Sequence, residues 1–176
     1  MEFNAAQRDI NDAFLGGAPG VLASGIVWLV AGLLAYWTIP TTSLLAFFFG
    51  GMLIHPAGVA LCRLGGRSGK ADAENPLTGL AIESTVLLFV GLFLAWLVFQ
   101  LREPWFYPTM LLVIGTRYLL FRSMYGNRTY WALGGVLIAL GVVCLVTGVP
   151  LYVSALLGGG TEVLFAGYLY RRQSSR

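Results

Sequence analysis

From Thr129 to Val149 the chain passes without a single charged residue, and apolar runs of similar length recur along most of it. A backbone that crosses hydrocarbon has no water to bond with, so its N–H and C=O groups must be satisfied within the segment, which makes such runs helices. A helix needs about 20 apolar residues to span the ~30 Å hydrocarbon layer. With 176 residues, 57% of them hydrophobic and only 11% charged, and a mean hydropathy of +0.77, the chain lies far outside the soluble globular range. It therefore reads as an all-α polytopic membrane protein, with room for six spanning helices and none for a separate catalytic domain.

The breaks between runs are marked by proline, glycine and charge, and set spans at about 18–39, 41–62, 77–100, 108–125, 129–149 and 151–170. Within 1–17, Phe3, Ala6, Ile10, Ala13 and Phe14 fall on one helical face and Asn4, Gln7, Arg8, Asn11 and Asp12 on the other. That pattern predicts an N-terminal amphipathic helix lying at the membrane surface, joined to the 18–172 bundle, with 173–176 as a tail. Pro56 predicts a kink beside His55. The turns at Pro40, Pro104 to Pro108 and Pro150 group the spans into three hairpins, which suggests a three-fold internal repeat.

Nine Lys and Arg residues flank one side of these spans and one, Arg102, the other. Under the positive-inside rule this places both termini in the cytoplasm, as expected for a multi-pass protein of a bacterial cytoplasmic (inner) membrane. The formal charge of +3 is spread over loop ends rather than gathered in a stripe, so no nucleic-acid partner is expected. Cys62 and Cys144 would sit at depths differing by roughly 20 Å, too far apart for a disulfide. No cysteine or histidine cluster has metal-ligand spacing, and no cofactor, metal or catalytic residue is expected.

Four ionisable residues interrupt the apolar spans. Arg117 lies in Gly115-Thr116-Arg117-Tyr118-Leu119-Leu120-Phe121, near a span midpoint, and the pattern returns as Gly160-Thr161-Glu162-Val163-Leu164-Phe165 with an acid in its place. His55 sits between Gly51 and Gly58, and Glu83 precedes Ser84 a turn or two inside its span. Charges at such depths are costly and ordinarily find partners, so His55, Glu83, Arg117 and Glu162 are expected to meet in one polar layer. Ser84, Thr116, Tyr118 and Thr161 would support it, and Arg117 would pair with one of the two acids.

Gly115-Thr116-Arg117-Tyr118-Leu119, followed by Tyr125-Gly126 and Tyr130-Trp131, resembles a family of small bacterial six-helix membrane proteins of unassigned function. In its proline-turned hairpins and glycine-rich even-numbered helices, the chain is also similar to HdeD-type acid-resistance membrane proteins. Neither resemblance implies an active site.

Two functions fit these residues. In one, the surplus acid beside His55 binds a proton or a small molecule, and the protein is a proton-linked transporter or channel-like protein. In the other, the charges are structural, and the protein is a non-transporting stress-response or assembly module. The bilayer is the expected partner in both, and self-association is left open. Enzyme chemistry is not expected, since the lone histidine has no nucleophile at dyad spacing.

Overall fold

The computed structural model describes residues 1–174, all helical or irregular with no strand among them. A short helix, α1 (Phe3–Phe14), is followed by six long ones: α2 (Ala18–Trp37), α3 (Pro40–Leu64), α4 (Leu77–Leu101), α5 (Phe106–Tyr125), α6 (Thr129–Thr147) and α7 (Leu151–Ser174). Stretches within Phe3–Trp37, Pro40–Leu64, Leu77–Leu101 and Thr129–Thr147 are long and apolar enough to cross a membrane. The helix α7 runs beyond the expected end at 170, while residues 175–176 of the expected tail lie outside the described residues.

Local chemistry sets the helix boundaries. Pro19 and Pro40 stand in the first turns of α2 and α3, where a missing N–H costs nothing. Gly126 and Gly148 close α5 and α6 in the left-handed conformation, so α6 ends at Thr147 rather than 149. Asn75 Oδ1 accepts the Leu77 amide at the start of α4. The helix α3 continues unbroken across Pro56.

The long helices divide into two tightly packed pairs. In one, a Cβ on Gly159 of α7 would stand 2.8 Å from the Gly25 carbonyl of α2, and in the other a Cβ on Gly134 of α6 would stand 2.6 Å from the Gly115 carbonyl of α5. Only glycine permits backbones to come this close. On the outside, α3 packs on α2, with Gly50 against Val27, and α4 packs on α5, with Gly91 against Val113. This is not the arrangement of three equal hairpins: α6 and α7, though consecutive, each pack more extensively on another helix than on one another. An aromatic cluster of Trp28, Phe47, Phe106 and Tyr107 fills the end of the bundle remote from α1. There the Tyr107 hydroxyl bonds Ser43, which in turn donates to the Ala31 carbonyl at 2.6 Å.

The expected amphipathic helix forms, but it is docked on the bundle and not laid out beside it. Ala6 and Ile10 are buried with Leu77, against Ala71 and Tyr125, and burying the isoleucine contributes about 2 kcal/mol. The polar face of α1 caps α5. Gln7 Nε2 donates to the Ser123 carbonyl at 2.7 Å and Asn11 Nδ2 to the Tyr125 carbonyl at 2.6 Å, occupying C=O groups that a helix C-terminus leaves open.

Candidate functional site

The inward stripe of α7 is Leu151, Ser154, Ala155, Gly158, Gly159, Glu162, Ala166 and Leu169, a helical spacing of small and apolar residues broken by one acid. Because Gly159 draws α7 against α2, the acid one turn later has no room to turn outward, and Glu162 is 0% exposed. Its carboxyl meets α5 on one side, where the Tyr118 hydroxyl donates to Oε1 at 2.9 Å. On the other side Ser24 of α2 stands close enough to interact with it. Oε2 has no hydrogen-bond partner among the described residues.

Arg117 is half-buried and faces a different helix. Its Nε–H points to Ser84 Oγ at 3.4 Å and a terminal N–H to Thr85 Oγ1 at 3.5 Å, both on α4. These are longer than ordinary hydrogen bonds. The guanidinium also lies 5.3 Å from the Phe121 ring centroid, within cation–π range. It forms no ion pair with Glu162 or with Glu83.

His55 and Glu83 are both exposed, on α3 and α4 respectively. The four ionisable residues therefore do not meet in one layer. Glu162 of α7 meets one face of α5 and Arg117 stands on the next, and the other two stand on the outside of the bundle. The physical reason is helical phase: the faces of α3 and α4 that touch the bundle run through Phe47, Gly50 and Gly58, and through Ser84, Gly91 and Ala95, and neither stripe contains the ionisable residue. Of the supporting residues, Tyr118 reaches the carboxyl and Ser84 reaches Arg117. Thr116 and Thr161 bond back to the carbonyls of Leu112 and Leu157, both at 2.8 Å, within their own helices, as intrahelical threonines commonly do.

Sequence reasoning missed Ser24 and the tyrosines behind Tyr118. Tyr118 stacks on Tyr130 at 6.0 Å and Tyr130 on Tyr125 at 5.2 Å, with Phe121 edge-on to all three. The Tyr130 hydroxyl donates to the Gly16 carbonyl at 2.6 Å. Gly17 lies against Tyr125 and Tyr130 so closely that a Cβ would strike the Tyr130 hydroxyl, and its φ of 82° also favours glycine. The stack thus runs from Glu162 to the α1 end, where Tyr125 borders a polar cavity of about 240 Å³ lined also by Asn11, Asn127, Arg128 and Arg172. The recurrence of tyrosine at 118 and 125, two helical turns apart on α5, was the available signal, but Tyr130 lies beyond the α5–α6 turn and outside that period.

No group of three or more His, Cys, Asp or Glu among the described residues is placed to hold a metal ion. Cys62 and Cys144 are free and buried. What the site offers chemically is an enclosed carboxyl that accepts a hydrogen bond from the Tyr118 hydroxyl on Oε1.

A family model described as a family of unknown function, DUF7010, matches residues 3–172 of this chain. No curated protein and no solved structure matches it.

Proposed function

We propose that this chain, which belongs to the DUF7010 family of unknown function, is a six-span membrane protein in which Glu162 binds a proton and couples it to passage of a small solute. The observation behind the reading is the Glu162 carboxyl itself: fully enclosed, bonded by Tyr118 through Oε1, with no hydrogen-bond partner on Oε2 and no cation at ion-pair distance among the described residues. Carboxyls so placed in membrane helices are characteristic of proton relays. Tyr118 orients the group by donating to Oε1, so a proton arriving or leaving would do so at Oε2. The tyrosine stack behind Tyr118 leads toward the α1 end.

On this reading α5 and α7 are spans as well. The first carries Arg117 and Arg122 and the second Glu162, Arg171 and Arg172, but Glu162 is turned inward and Arg122, Arg171 and Arg172 are near helix ends. The excess of basic residues on the α1 side supports a cytoplasmic placement of that end and of both termini, and the membrane on this reading is a bacterial inner membrane.

Infrared spectroscopy of the reconstituted protein tests the reading. A protonated-carboxyl band that changes with pH, and that Glu162→Gln removes, is expected, together with loss of pH-driven solute or proton flux in the variant. If Glu162→Gln leaves every pH-dependent carboxyl band in place, the reading fails.

The assembly reading draws on Arg117. Its long contacts to Ser84 and Thr85 tie α5 to α4, a staple that needs no transported species. Unaltered flux in Glu162→Gln alongside a loosened α4 in Arg117→Met would favour it.

A further inference from the structure

His55 and Glu83 interrupt the apolar runs of α3 and α4, and both are exposed on the outside of the bundle. Ionisable side chains inside a membrane almost always face protein or water, because lipid tails cannot solvate them. A second observation lies beside each. Gly51, four residues before His55, and Gly79, four residues before Glu83, have nothing within 4 Å of the position a Cβ would take. On the packed faces of these same helices the glycines are occupied, Gly50 by Val27 and Gly91 by Val113. Each outer helix thus shows an open glycine notch one turn from an unpartnered ionisable group.

The two groups are complementary and lie at similar depth. Both helices reach the α1 end, α3 just past Cys62, where Gly65 packs against Leu15, and α4 at Leu77, which is buried with Ala6 and Ile10. His55 is seven residues from Cys62 and Glu83 six from Leu77, which at 1.5 Å per residue places them about 10 Å and about 9 Å from that level. Copies inserted with the same orientation are related by an axis along the membrane normal, so equal depth within one chain is equal depth between chains.

We propose that α3 of one copy packs against α4 of a second, placing His55 beside the second copy's Glu83 and closing the glycine notches at Gly51 and Gly79. Contact between two different helices can close as a two-fold dimer that makes it twice or as a ring that makes it once per neighbour. In both forms α3 touches α4 and like helices do not touch.

The test leaves the charge pair intact. Met52 and Leu87 are exposed on α3 and α4, each ten residues from the same reference level, or about 15 Å. Full-length protein carrying Met52→Cys and differently tagged protein carrying Leu87→Cys are co-reconstituted in dilute proteoliposomes and treated with a short bismaleimide. Cross-links between the two tags are expected at least tenfold above those within the Met52→Cys population alone. In parallel, native mass spectrometry should show a multimer for the unaltered chain, loss of that multimer in His55→Glu, and its return in the His55→Glu, Glu83→His swap, with helical circular dichroism verifying that each variant is folded. A monomer in both assays, or Met52→Cys joining itself as readily as Leu87→Cys, overturns the proposal.

Discussion

Arg117 and Tyr118 are consecutive on α5 yet serve different helices, the guanidinium reaching Ser84 and Thr85 of α4 and the hydroxyl reaching Glu162 of α7. Adjacent helical positions point about 100° apart, so the base that was expected to pair with one of the two acids faces the next groove. A tyrosine takes its place.

Arg117 and Glu162 should therefore behave as independent sites. Breaking a true buried ion pair costs about 3–5 kcal/mol. Arg117→Met should instead change stability by no more than about 1 kcal/mol, since it removes weak, half-buried contacts. In a double-mutant cycle with Glu162→Gln, measured by reversible unfolding in mixed micelles, the coupling should stay below about 0.5 kcal/mol.

Tyr118→Phe should cost about 1–2 kcal/mol, because it leaves Oε1 as well as Oε2 of a buried carboxyl unbonded. Combining it with Glu162→Leu should recover much of that loss, as removing both polar partners spares the orphaned group. The same unfolding assay reads both variants.

Gly159 and Gly160 provide a neighbouring-residue control. A Cβ at 159 would stand 2.8 Å from the Gly25 carbonyl, whereas nothing lies within 4 Å of one at 160. Gly159→Ala should destabilise the protein by about 1–3 kcal/mol through overpacking, while Gly160→Ala should be neutral or stabilising by up to about 1 kcal/mol through helix propensity. Equal effects would contradict the close α2–α7 approach.

The α1 cap should be separable from the bundle. Asn11→Ala removes the donor to the Tyr125 carbonyl, and Gln7→Ala the donor to the Ser123 carbonyl. Each should cost about 1 kcal/mol of docking, seen as faster amide exchange across residues 3–14 with little change in α5 through α7.

The proposed topology rests on the charge bias. Single cysteines at Gly66 and Asn127 should label only from the cytoplasm, and those at Thr41 and Glu103 only from outside. Labelling of Asn127 from outside would reverse the assigned orientation.

The helical class, the long apolar segments and the amphipathic start were legible in the sequence because each depends on local properties: run length, proline and glycine punctuation, and the 3.6-residue period of Phe3, Ala6, Ile10 and Phe14. Arg117 and Glu162 were legible as anomalies for the same reason, since a charge in an apolar run is visible without any neighbour. Which groups meet was decided only in three dimensions. Contact depends on the rotation of each helix about its axis, and one residue changes that rotation by about 100°. In α2 through α7 apolar residues suit core and lipid alike, so hydropathy carries almost no phase information. Close glycine contacts supply it instead: Gly25 against Gly159 turns Glu162 inward, Gly50 against Val27 leaves His55 outside, and Gly91 against Val113 leaves Glu83 outside.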